Sequence, residues 1–92
     1  MNNYIAISSL AMDLKRAALG FYKGSFDTAL RFQEEALKRS NEVDIKIVKP
    51  HIKKLLLKLP EILKDPDKKH LAEDLLMHSQ ILQNYALTIK KQ

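Results

Sequence analysis

Cysteine is absent from this 92-residue chain. That removes disulfides, thiolate metal sites, thiol nucleophiles and iron–sulfur clusters together. Glycine and proline are scarce, at two and three residues. They are too few for the many turns of an all-β fold or for a glycine-rich phosphate cradle. No run approaches the ~20 consecutive apolar residues that a bilayer crossing needs. The opening ten residues are apolar in flavour but lack the basic start of a secretory signal, and Asp13, Lys15 and Arg16 then interrupt them. The expectation is a cytoplasmic protein with no membrane attachment and no cofactor.

What is present is ordinary for a globular domain: 46% hydrophobic and 29% charged residues. The length allows one domain, residues 1–92. A domain this small buries only about 60–65% of the surface of its unfolded chain, so tight packing or self-association must supply stability. Most of the sixteen basic residues are lysine, a bias shared with thermophile proteins.

Breaks at Gly24-Ser25, from Ser40 to Asp44, and at Asp65-Pro66-Asp67 divide the chain into helical stretches. The spacing predicts an all-α, small four-helix bundle of antiparallel helices over about 3–23, 26–40, 50–63 and 66–89. In the first helix, Ile7, Leu10, Leu14, Ala17, Ala18 and Phe21 share one arc, with Tyr4, Ala11 and Tyr22 at its edge. Asn2 or Asn3 caps its start. Ser25 caps the second helix, whose buried face is Phe26, Ala29, Leu30, Ala36 and Leu37; Gly24 supplies the left-handed residue between the two. In the third, Val48, Ile52, Leu55, Leu59 and Ile62 keep helical spacing from a start near Pro50, and Pro60 either kinks the helix or opens a short new turn. Asp65 as cap and Pro66 at the first helical position open the fourth. Its face is Leu71, Leu75, His78, Leu82, Tyr85 and Ile89, widened by Ala72, Leu76 and Leu87.

Ala17, Gly24, Phe26, Ala29 and Ala36 occupy small and aromatic positions in a pattern that resembles one tetratricopeptide-type helical hairpin, over residues 17–37. Gly20 and Gln33 stand where that pattern has aromatics, and Asn41 where it has proline. No second unit follows 34 residues on, although such arrays need several stacked repeats. The resemblance implies a hairpin, not a function. Similar hairpins occur in HEPN-type domains that bind nucleotides or cut RNA, but their Arg-to-His motif is missing here.

Three features bear on function. Ile5, Met12 and Leu19, each seven residues apart, form a second apolar stripe on the first helix, opposite the first. A helix apolar on two sides must be covered on two sides, inside a bundle or by another molecule. The expectation is a protein that acts by association, as a homodimer or as an adaptor on another protein. Burial of about 300 Å² per copy at about 25 cal/mol per Å² amounts to several kcal/mol before association costs.

The second feature is charge. The formal net charge is +5, and the whole excess lies in residues 46–69. Lys46, Lys49, Lys53, Lys54 and Lys58 fall opposite the apolar face there. Clustered cations track phosphates, so nucleic-acid binding is the alternative function. The segment has no arginine and no aromatic residue, which favours a solvated face instead.

The third is His70, Asp74 and His78, a ladder at i, i+4 and i+8. Imidazoles and a carboxylate one turn apart can share a metal. The outer pair, however, diverges over about 12 Å of helix rise, so structural histidines are the simpler reading. His51 reads as an exposed first-turn residue. Glu34 and Glu35 have Lys38 and Arg39 four residues on, as helix-surface pairs do. The serines lack any nucleophile-elbow context, and the tyrosines read as core-edge residues with wet hydroxyls. No catalytic constellation emerges, and an enzyme is not expected.

Overall fold

The computed structural model describes residues 2–90. It is all-helical among them: α1 (Asn3–Tyr22), α2 (Phe26–Glu42), α3 (Pro50–Ile62) and α4 (Lys68–Lys90) form a small bundle of 39 × 19 × 19 Å. Among the described residues no helix is long and apolar enough to cross a membrane.

Local signals start and stop these helices. The Asn2 side chain accepts a hydrogen bond from the Ile5 amide at 2.9 Å and caps α1. At the other end the Ser25 amide donates to the Gly20 carbonyl at 2.8 Å, and the Gly24 amide to Phe21 at 3.2 Å. Gly24 has φ +74°, so the helix ends in the left-handed motif that only glycine enters without cost. Two starts differ from expectation. The Ser25 hydroxyl makes no capping bond. α4 begins at Lys68, not Pro66, because the Asp67 carboxylate accepts from the amides of Lys69 and His70 at 3.1 and 3.2 Å. A capping residue lies outside its helix, so Pro66 does too. α3 begins at Pro50 as expected and runs through Pro60 to end two residues later.

α1 lies between α2 and α4, and the shorter α3 rests more lightly on α2 and α4. The Lys90 ammonium lies 5.7 Å from the Tyr4 ring and the Lys68 ammonium 5.4 Å from the Phe21 ring, so α1 and α4 run antiparallel. The predicted arc of α1 is buried throughout, and Ile7, Leu10 and Leu14 join Ile52, Leu59, Leu71, Leu75 and Leu82 as the largest fully buried side chains.

The bundle departs from the periodic reading where helices approach closely. A Cβ added to Gly20 would lie 3.0 Å from the Cβ of Ala29. α2 therefore meets α1 through Ala29, Gln33 and Ala36, and Phe26 and Leu30, expected in the core, are half-exposed. The same contact explains why Gly20 stands where a tetratricopeptide hairpin carries an aromatic: there is no space for one. Leu56 is buried in α3, while Leu55 is only partly so. Leu76 and Leu87, expected to widen the core face of α4, are exposed. The Tyr85 hydroxyl accepts the Lys49 amide at 3.3 Å and ties the α2–α3 loop to α4.

Candidate functional site

With its own helices packed, α1 still turns Ile5, Met12 and Leu19 to the surface at 46%, 48% and 39% exposure. The stripe runs along the outer side of α1, between its two neighbours. Toward α4, Met12 lines an open groove of about 510 Å³ together with Ala11, Lys15, Leu76, Gln80 and Gln83. Toward α2, Leu19 borders a second groove with Arg16, Gly20 and Phe32. Arg16 is held there: its guanidinium lies 5.5 Å from the Phe32 ring and 3.8 Å from the Asp13 carboxylate. On α4, Leu76, Gln80, Gln83 and Leu87 follow at i, i+4, i+7 and i+11, one continuous face beside the stripe. That face was legible in the spacing, but it competed with the stronger core face one residue away.

Asp13 sits behind the stripe, only 8% exposed. Burial pushes its carboxyl above the usual carboxylate range, against the opposing pull of Arg39 and Arg16. The Gln33 amide nitrogen beneath α2 is buried without a hydrogen-bond partner.

The histidine ladder does not assemble. His70 Nδ1 lies 2.6 Å from Asp65 Oδ2 and 3.6 Å from Asp74 Oδ2, and one ligand atom from each of these three residues falls within 4.8 Å of the others. Asp65 takes the place expected of His78. It comes from the turn before α4, where its other oxygen accepts the Asp67 amide at 2.9 Å; helical periodicity carries no information about that turn. His78 lies two turns further along, half-buried, with Nδ1 unpartnered. The two imidazoles are pushed in opposite directions. The Asp65 hydrogen bond and the nearby Asp74 charge raise His70, and the same bond lowers Asp65. Burial lowers His78, partly offset by Asp74. The Asp65–His70–Asp74 group lies at the surface with the His70 ring between two carboxylates. It offers three ligand atoms, against the four that close a structural metal site.

Lys46, Lys49, Lys53, Lys54 and Lys58 are all exposed, and among the described residues none lies within ion-pair distance of a carboxylate. Leu57, 61% exposed, sits among them. His51 is exposed, its ring edge-on to Tyr85 at 6.3 Å.

No protein-family model matches the chain, and neither the curated proteins nor the solved structures compared with it gave a match.

Proposed function

We propose that this protein works by protein association, through the outer face of α1 and the adjoining face of α4. The observation behind this reading is that Ile5, Met12 and Leu19 keep their exposure after every other helix has packed. A lone exposed leucine needs no explanation, but an aligned stripe beside an apolar-lined groove is the kind of patch that marks a contact site. The role is that of a homodimer or an adaptor, without catalysis. A cytoplasmic setting belongs to the reading, since nothing in a cysteine-free chain calls on an oxidising compartment. The test is sedimentation of a Met12→Lys/Leu19→Lys variant. Both side chains point into solvent, so helix content should hold while the assembly shrinks. An unchanged assembly would refute the reading.

A second reading, nucleic-acid binding by Lys46, Lys49, Lys53, Lys54 and Lys58, is favoured by their exposure without carboxylate partners among the described residues. It requires affinity that falls steeply with salt as counterions are released. Absence of binding to a single- or double-stranded oligonucleotide at ~50 mM salt removes it.

A further inference from the structure

We propose that the occupant of the α1 face is a second copy of this chain, bound antiparallel on a two-fold axis that passes beside Met12. This rests on the association reading above and goes beyond it by naming the partner and its register.

The stripe is symmetric about its own centre. Ile5 and Leu19 lie seven residues either side of Met12, about two helical turns each way. A two-fold through Met12 brings positions equally far on either side face to face. Ile5 of each copy then meets Leu19 of the other, and Met12 meets Met12, an isologous contact with no apolar member left over.

Charge selects antiparallel over parallel pairing. At 100° per residue, Ser8 and Lys15 flank the stripe on its α4 side, and Ser9 and Arg16 on its α2 side. In the antiparallel pair each α4 side faces its counterpart, so Lys15 lies beside Ser8 of the second copy and Arg16 beside its Ser9. A long cation covers a small polar residue in both cases. The parallel pair instead sets Lys15 of one copy beside Arg16 of the other, two cations of which only Arg16 has a carboxylate near it, Asp13 at 3.8 Å. Asp13 is turned inward and buried.

The area is consistent with a modest dimer. The exposed parts of Ile5, Met12, Leu19, Leu76 and Leu87 present roughly 400 Å² of apolar surface, in the range of functional patches. A specific interface covers about 800 Å² per partner. Ser9, Lys15, Arg16 and the groove-lining Gln80 and Gln83 supply the polar remainder, the Ser8 hydroxyl being buried, and amides can both donate and accept across a two-fold.

The absence of cysteine makes the register testable, because Ile5→Cys, Met12→Cys and Leu19→Cys each introduce a sole thiol. A disulfide needs Cα atoms about 4.4–6.8 Å apart, so a short bis-maleimide is used beside oxidation. Met12→Cys is expected to cross-link with itself, whereas Ile5→Cys and Leu19→Cys cross-link when mixed and little when alone. Self-cross-linking of both end variants with no gain on mixing overturns the antiparallel register and leaves association standing. A dimer that yields none of these cross-links overturns the face itself.

Charge variants give a second measurement free of thiol geometry. Met12→Lys and Met12→Glu should each raise the dissociation constant about tenfold or more, and an equal mixture should recover pairing, because residue 12 meets its own counterpart. Failure of the mixture to pair overturns the axis at Met12. Sedimentation of the unaltered chain separates the two readings: a monomer at every concentration removes this one and leaves only the adaptor form of the association reading, while a dimer with the wrong cross-links removes this one and leaves self-association standing.

Discussion

Gly20 and Ala29 meet at the crossing of α1 and α2 so closely that a Cβ on Gly20 would lie 3.0 Å from the Ala29 Cβ and 3.1 Å from its Cα and amide nitrogen. Two of those three atoms are backbone, so the whole of α2 would have to shift. Alanine inside a helix gains about 1 kcal/mol over glycine from propensity, and overpacking costs about 1–3 kcal/mol. Gly20→Ala should therefore destabilise by about 1 kcal/mol. A urea midpoint at or above that of the unaltered protein would show that the crossing is looser than described.

Asn3 fastens the loop after α2 to the start of α1. Its side-chain nitrogen donates to the Asp44 carbonyl at 3.0 Å, and its oxygen accepts the Asp44 amide at 2.9 Å. Two exposed bonds of this kind contribute about 1 kcal/mol in total after competition with water. Asn3→Ala should lose about that much, with amide exchange accelerating first across residues 43–49.

Asp13 provides a pH test with a definite sign. Burial raises its folded-state pKa above the unfolded 3.8, so the protonated carboxyl is the form that favours folding. Its contribution is full below the unfolded value and is lost as pH rises through the folded one. Asp13→Asn mimics the protonated group and should raise the urea midpoint at pH 7, with the advantage disappearing in acid. A lower midpoint at pH 7 would mean that Arg16 and Arg39 outweigh burial.

His70 and His78 should titrate on opposite sides of the usual 6.5. His70 is raised by Asp65 and Asp74; its contribution is full below 6.5 and is lost as pH rises through its folded value. His78 is lowered by burial; its contribution is present above 6.5 and is lost as pH falls through its folded value. The two cancel in part near neutrality. His70→Gln should make stability fall more steeply on acidification through that range, and His78→Gln should remove the fall. Proton NMR of the two imidazoles reads the order directly, and a His78 value above that of His70 would contradict the burial described here.

Much of the architecture was readable from local sequence because its causes are local. A helix is closed by bonds between residues four apart, so the apolar spacing of α1 and α4 marked helices without knowledge of their neighbours. The Asn2 cap, Gly24 and Pro50 act within one turn of where they stand. The exposed stripe on α1 was equally visible, since seven-residue spacing needs only the pitch of the helix to interpret.

Tertiary packing decided which of several apolar faces went inside. Phe26 and Ala29 both suit a buried face of α2, and it was the closeness of Gly20 that admitted the small residue and left the ring outside. Leu75 and Leu76 are adjacent leucines on α4; α1 covers the first and leaves the second beside an open groove. Asp65 reached His70 because a turn folded back over the start of α4, while His78 faced the interior. The physical reason is common to all three. Periodicity orders side chains around one axis, whereas contact depends on how near a second axis comes and which way a loop returns.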